Sequence, residues 1–321
     1  MKALTYSFTH SGTAPPSLSL VELPIPKVKE EEVLVRVHYA GLSYFDVETS
    51  QGTRNRAIKS ALKKTAVISG IEMAGIVESD GKRFKAGDRV LAYTHIFKGP
   101  FFHAEYVAVA ESNLAVLPEN ATLEGAASIV GGALTALNAL ERVACLEAGS
   151  AILITGATGS VGTAGVQLAT HLGAEVSAVC HSSQTDFVLT QGALQAYAYD
   201  QKELPPSQHQ FDVVFDTAPS LSFSKAKQYL KPAGKYITTM PHLDVGGFAR
   251  SLFSRQKWGY LMEYNADAPR MERLRTLISE GAFTSVIDSV YPSDGAQDAF
   301  THQLESGKRG KILLDFRDVQ D

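Results

Sequence analysis

The spacing of apolar positions changes near residue 120. Before it, apolar residues come in short alternating runs. Val33-Leu34-Val35-Arg36-Val37-His38-Tyr39 alternates and is rich in β-branched side chains, which predicts a strand. Leu18, Leu20 and Val21 form a shorter run before Pro24 and Pro26. Met73–Glu78, Arg89–Tyr93 and Ala104–Val109 follow as strands, with turns at Asp80-Gly81 and Ala86-Gly87-Asp88. Many short strands with Gly and Asp turns predict a small barrel or folded sheet. Ala40-Gly41-Leu42 breaks the first long strand, and Ser43-Tyr44-Phe45-Asp46 opens a short helix that Ser43 can cap. Residues 51–66 are basic and irregular. They read as a solvated loop or as a flap over a substrate mouth.

From about 121 the pattern turns helical, over Leu123–Ile129 and Leu134–Val143. Strands and helices then alternate. The strands are Ile152–Ile154, Val176–Cys180, Ala196–Tyr199, Val213–Phe215 and Tyr236–Thr239; the helices between them include Asp186–Gln191 and Leu221–Leu230. This alternation predicts parallel βαβ units in an open, doubly wound α/β sheet. Helix Ala268–Glu280 follows, and the tail returns to strands at Val286–Val290 and Lys311–Phe316. The run Lys257–Tyr264 reads as an edge strand, which invites pairing with a second chain or a cover of loops.

Residues 151–163, AILITGATGSVGT, join a strand to a helix through Gly156, Gly159 and Gly162. Such a turn aims backbone N–H groups and the positive end of a helix at an anion, and glycine clears the approach. With the strand before it and the helix after it, the triplet predicts a dinucleotide pyrophosphate site.

Composition narrows the classes. The chain has 321 residues, enough for two domains, and is 45% hydrophobic and 20% charged. A net charge of −4 without a basic block argues against nucleic acid as a partner. Two cysteines, Cys145 and Cys180, make neither a disulfide framework nor a zinc cluster. The first residues lack the apolar core of a signal peptide, and no uninterrupted membrane-spanning apolar run is visible. The expectation is a reduced, cytoplasmic protein that does not bind membranes.

Several stretches carry a family pattern in order: AGLSYFDVETSQG, SGIEMAGIVES, FKAGDRVLAY, HAEYVAV, GGALTALNAL, GATGSVGTAGVQLA, FDVVFDTA, LKPAGKYIT and SGKRGKILL. The chain resembles the medium-chain dehydrogenase/reductases, specifically their zinc-independent, quinone oxidoreductase-like branch. The resemblance implies a GroES-like β-barrel domain over 1–122, a Rossmann doubly wound NADP-binding domain over 123–266, and a return to the first domain over 267–321. It also implies a homodimer. Zinc-dependent members place Cys where this chain has Ser43, and His where it has Ile71. A hydroxyl and an alkyl group cannot replace a thiolate and an imidazole, so no metal is expected, and plain alcohol oxidation is disfavoured.

On the same resemblance, Gly156, Gly159, Ser160, Val161 and Gly162 face the pyrophosphate, and Thr135 lies near the nicotinamide or back-bonds within its helix. Thr217, Ala218, Thr239 and Met240 end later strands at the ligand edge, whereas Asp216 and Asp46 are structural. An acid at the end of the second strand would select NADH. Here Val179-Cys180-His181-Ser182-Ser183-Gln184 has none, and His181, Ser182 and Ser183 can serve an anion, which favours NADPH. Lys and Arg, frequent there in relatives, are missing. Tyr199 matches a family tyrosine that reaches the adenosine phosphate, or is a strand-end core aromatic; His181 is also readable as an exposed loop residue.

For chemistry, hydride passes to a quinone or to the β-carbon of an enone, and a proton follows. Tyr44 is the first candidate donor, or a wall of the substrate pocket, and Ser43 can hydrogen-bond the substrate. Tyr93, His95, Phe101 and Phe102 line the substrate side; the two phenylalanines replace small glycines of the family. Two other functions fit the same residues. One is an enoyl-thioester reductase, for which Arg54–Lys64 would meet acidic phosphates. The other is an NADPH-binding sensor or structural protein with little turnover.

Overall fold

The fold comes from a computed structural model that describes residues 1–7, 17–50, 67–94, 99–202, 204–206, 208–259 and 266–317. Its first strands are β1 (Lys2–Ser7), β2 (Ser17–Glu22), β3 (Glu32–Leu42), β4 (Val67–Ile68), β5 (Glu72–Val77), β6 (Arg89–Tyr93), β7 (Tyr106–Ala110) and β8 (Leu114–Val116). Then come β9 (Ala151–Thr155), β10 (Glu175–Cys180), β11 (Gln195–Ala198), β12 (Phe211–Asp216), β13 (Leu230–Thr238) and β14 (Lys257–Gly259). The last two are β15 (Ile287–Pro292) and β16 (Lys311–Asp315). The helices are α1 (Tyr44–Ser50), α2 (Leu123–Leu137), α3 (Ser160–His171), α4 (Thr185–Thr190), α5 (Phe223–Ala226), α6 (Val245–Ser251), α7 (Ala268–Ser279) and α8 (Ala296–Leu304).

The chain divides into two compact units. The first comprises Met1–Gly131, Tyr264–Gly281 and Ser285–Asp321; the second comprises Gly132–Glu263 and Ala282–Thr284. The sequence places the changeover at 123, whereas the second unit begins at Gly132.

In the first unit, β2-β1-β4 form an antiparallel sheet, and a larger sheet runs β15-β16-β3-β5-β6-β8 with β7 also on β3. The alternation of residues 33–39 becomes an alternation of burial along β3, with Val33, Val35 and Val37 fully buried against Met73, Val90, Phe102 and Phe300. The tail rejoins this sheet because β16 pairs antiparallel with β3, Ile312 opposite Leu42.

In the second unit the parallel order is β11-β10-β9-β12-β13-β14. Chain order reverses beside β9, so the carboxyl ends of β9 and β12 flank a switch point. Aromatic packing of Phe223, Tyr236 and Trp258 closes one face.

Two helices differ from their sequence pattern. Leu221–Leu230 keeps only α5, because Leu230 already pairs with Phe211 as the start of β13. Leu123–Ile129 and Leu134–Val143 are one helix, α2, continued by a wider π-helical turn over Asn138–Ala144. Length and hydropathy alone would let Leu123–Ala144 pass for a membrane span, but 78% of its most apolar window is buried in the protein. Gly131 and Gly132 do not break the helix. A Cβ on Gly131 would lie 2.6 Å from Glu72 Oε2, and the bare backbone instead donates its N–H to that oxygen at 2.6 Å.

Glu72 is fully buried, and the nearly buried Lys311 ion-pairs with its other oxygen, Oε1. Gly41 clears the remaining path, since a Cβ there would meet Glu72 Cγ at 2.6 Å. Removing one partner of a buried ion pair strands the other charge, at a cost of about 3–5 kcal/mol. Lys311→Met is expected to lower the denaturation free energy by about that amount. Adding Glu72→Gln to it should recover part of the loss. A Lys311→Met midpoint equal to wild type would contradict this role for the pair.

Candidate functional site

The turn after β9 is fixed by three glycines with three different jobs. Gly156 has φ +63°, and a Cβ there would lie 2.5 Å from Ala218 Cβ. A Cβ on Gly162 would lie 2.1 Å from the Gly156 carbonyl oxygen, so only glycine lets α3 approach β9 this closely. Gly159 is different. A Cβ there would meet nothing nearer than 3.7 Å, so this glycine leaves open space in front of the α3 N-terminus. The first N–H groups of α3, at Ser160, Val161 and Gly162, have no carbonyl in their own helix to bond. Ser160 Oγ is buried and has no hydrogen-bond partner. Gly132 packs on Ser160, where a Cβ would come within 2.7 Å of that oxygen, and Thr135 lies one helical turn further along α2. Unbonded donors, a positive helix end and an open approach fit a pyrophosphate.

The remaining strand ends belong to the same sheet edge. Thr217 Oγ1 donates to the Thr155 carbonyl at 2.7 Å, locking the strand end beside Gly156. Ala218 is exposed, and Thr239 and Met240 are half-buried at the end of β13. Thr239 N–H donates to the Asp216 carbonyl at 3.2 Å. The Asp216 side chain is fully buried and accepts from Thr155 Oγ1 (2.5 Å), Ser220 Oγ (3.0 Å) and Tyr236 Oη (3.2 Å), a structural hub as the sequence predicts.

At the end of β10, Ser183 N–H donates to His181 Nδ1 at 3.2 Å. That nitrogen is therefore the acceptor, and His181 carries its proton on Nε2. Tyr199, 54% exposed, stands edge-on to His181 with ring centroids 5.9 Å apart. The sequence reading missed Asp200. Its Oδ1 accepts from Ser182 N–H and its Oδ2 from Ser182 Oγ, both at 2.7 Å, and His181 Nε2 lies 3.5 Å from Oδ2. The hydrogen bonds from Ser182 and the nearby His181 hold the Asp200 carboxyl below its usual range. The only sequence signal was adjacency to Tyr199.

In the first unit, Ser43 caps α1. Its Oγ accepts from Asp46 N–H at 3.3 Å, while Asp46 Oδ2 accepts from Ser43 N–H (2.8 Å) and Ser43 Oγ–H (2.6 Å). This is a capping box. The Ser43 proton is thus held by Asp46, and the hydroxyl presents a lone pair. Asp46 is itself buried, and its Oδ1 takes the N–H of Gly70 at 2.9 Å. Tyr44, next to the cap, is 47% exposed. His103 is fully buried. Its Nε2 lies 3.1 Å from the Gly41 carbonyl, which can only accept, so Nε2 donates and Nδ1 accepts from Ser69 Oγ–H at 2.7 Å.

This donor set does not fit zinc. Ile71 offers an alkyl group, Ser43 is tied to Asp46, and both His103 nitrogens are engaged. Among the described residues, no three His, Cys, Asp or Glu side chains gather around a common point. Phe102 corrects an expectation: it has no exposed surface and packs in the core with Leu4 and Phe300, so it does not line a pocket. Tyr93 is buried at the end of β6, and Phe101 is half-buried. His95 and the basic stretch 51–66 lie outside the described residues.

Two outcomes follow from this geometry. Gly162→Ala should destabilise the chain by about 1–3 kcal/mol through overpacking. Gly159→Ala should keep the melting temperature yet weaken binding of a nicotinamide dinucleotide; equal binding would remove Gly159 from the site. Burial pushes the His103 pKa down, partly opposed by the Asp46 and Glu72 carboxylates, with Lys311 adding to the depression. The fold therefore holds His103 neutral, while the unfolded chain takes up a proton below about pH 6.5. Stability should be complete above that pH and fall by at most about 1.4 kcal/mol per unit below it for this group. His38, also depressed by burial, adds in the same direction. Denaturation midpoints at pH 7.5 and 5.5 test this, with a smaller drop expected for His103→Gln.

Comparison with known proteins agrees with the geometry. Residues 29–119 match the alcohol dehydrogenase GroES-like domain, and residues 191–314 match a domain described as zinc-binding dehydrogenase. The chain is 32% identical to the chloroplastic quinone-oxidoreductase homolog of Spinacia oleracea, over 98% of both chains. It is 28% identical to the chloroplastic NADPH-dependent alkenal/one oxidoreductase of Arabidopsis thaliana, covering 90% of this chain and 73% of that protein. The solved quinone oxidoreductase from Coxiella burnetii superposes with a TM-score of 0.84 at 23% identity, over 98% of this chain and 99% of that one. The chain therefore belongs to the medium-chain dehydrogenase/reductases, in their quinone oxidoreductase-like branch.

Proposed function

We propose that the chain is a zinc-independent, NADPH-dependent oxidoreductase that reduces quinones or α,β-unsaturated carbonyls by hydride transfer. The observation that carries this reading is the glycine turn, with its open approach at Gly159 and the unpartnered Ser160 hydroxyl. Membership of an oxidoreductase family supports an enzyme and a nicotinamide cofactor. NADPH is supported by the acid-free end of β10 and by the name of the Arabidopsis relative. When bound, the reduced nicotinamide supplies a hydride from C4.

The chain's own residues have the following parts. Ser160, Val161 and Gly162 hold the pyrophosphate through the α3 N-terminus. Thr217, Ala218, Thr239 and Met240 form the sheet edge along which the cofactor extends. Ser43, its proton kept by Asp46, caps α1 and so braces the segment that carries Tyr44. The exposed Tyr44 phenol supplies the proton as charge develops on the carbonyl oxygen. In the donor set of the first unit nothing polarises a plain alcohol, so acceptors that are already electron-poor fit best. We further propose a cytoplasmic homodimer that pairs through β14, the edge strand of the second unit's sheet.

The test is a panel of quinones, enals and enones, with NADPH consumption followed in the presence of a zinc chelator. Turnover that the chelator leaves unchanged is expected. No consumption with any acceptor would favour a binding protein over an enzyme. Tyr44→Phe should lower kcat by about 100-fold with little change in KM. An unchanged kcat would reduce Tyr44 to a wall of the pocket.

A further inference from the structure

The end of β10 carries no acid, but the folded site does. Strands β10 and β11 are parallel neighbours, with Cys180 opposite Ala198, so Ser182 and Asp200 emerge side by side at one sheet edge. There the Asp200 carboxylate grips Ser182 twice, at 2.7 Å through the backbone N–H and 2.7 Å through the hydroxyl. His181 Nε2 lies 3.5 Å from Oδ2, while its Nδ1 faces the Ser183 N–H at 3.2 Å. Two of the three side chains that read from the sequence as an anion site, Ser182 and His181, thus sit beside a carboxylate. Burial first, and then Asp200, push the nearby Cys180 thiol up to about 11. The Asp200 side chain stays 28% exposed, so it also faces the space in front of the strand ends.

We propose that Asp200 is the specificity-determining residue at the adenosine end: it supplies from β11 the acid that β10 lacks, accepting from a ribose hydroxyl and opposing a 2′-phosphate. The proposal rests on the dinucleotide reading of the glycine turn, and it qualifies the preference for NADPH. Asp200 takes up the Ser182 hydroxyl proton that a phosphate would use, and so holds that preference down. Wild type therefore favours NADPH less sharply than the end of β10 alone would, and neutralising residue 200 sharpens that selectivity.

Asp200→Asn separates charge from bracing. The amide is isosteric, and its oxygen can still accept from Ser182 N–H. Dissociation constants for NADPH and NADH, from the fluorescence of the bound reduced cofactor, give the readout. Asp200→Asn should tighten NADPH about tenfold or more while leaving NADH within about twofold, and the gain should shrink in about 0.5 M salt, where charges are screened. Asp200→Ser provides a second neutral variant should the first melt early. An unchanged NADPH constant in both variants, or an equal loss for both cofactors, would overturn the proposal and leave Asp200 a brace. If neither cofactor binds wild type, the dinucleotide reading itself fails, and the proposal with it. Wild type with a strong preference for NADH, lost in Asp200→Asn, would uphold the role of Asp200 while removing the NADPH reading.

Discussion

The carbonyl oxygen of Gly156 lies where a side chain on residue 162 would begin. That close approach of α3 to β9 sets the geometry of the second unit's sheet edge. It aims the α3 N-terminus at the switch point, beside which β10, β11, β12 and β13 end. Beside it, Thr217 Oγ1 donates to the Thr155 carbonyl at 2.7 Å, and Gly132 packs on Ser160. A side chain at residue 162 would be overpacked, whereas one at Gly159 would touch almost nothing. A turn that is rigid on the protein side and empty on the other is what an incoming anion requires.

The first unit solves a different problem, how to bury polar and charged side chains with their partners. Asp46 is buried but accepts three hydrogen bonds, from two groups of Ser43 and from Gly70. His103 is buried but neutral, with one nitrogen donating and one accepting. Glu72 is buried against Lys311 and a helix N–H. The partners come from distant parts of the chain, Gly70 for Asp46, Gly41 for His103, and Gly131 and Lys311 for Glu72. The same bonding ties the Ser43 hydroxyl into the cap, and Tyr44 beside it is 47% exposed.

Much of this was legible from residue type and spacing, because it depends on local rules. The alternation in β3, the capping by Ser43 and the strand–turn–helix around Gly156 all follow from neighbours within a few positions. What escaped depends on partners far along the chain. Gly131-Gly132 looks like a helix break until Glu72, 59 residues earlier, takes up the exposed N–H. Phe102 looks like a pocket residue until the core closes over it. Asp200 lies 18 residues beyond Ser182, on the next strand, and only parallel pairing brings them together. The last case matters most: a loop that reads as welcoming to phosphate acquires an opposing charge once the sheet forms.

The central claim is that a nicotinamide held at the glycine turn delivers hydride to an electron-poor acceptor without a metal. It is tested most directly by supplying NADPH with deuterium in both C4 positions, together with an enone and a zinc chelator, and locating the label in the product. The account predicts one deuterium on the former β-carbon. Saturated product without the label, or product formed only after zinc is restored, would contradict it.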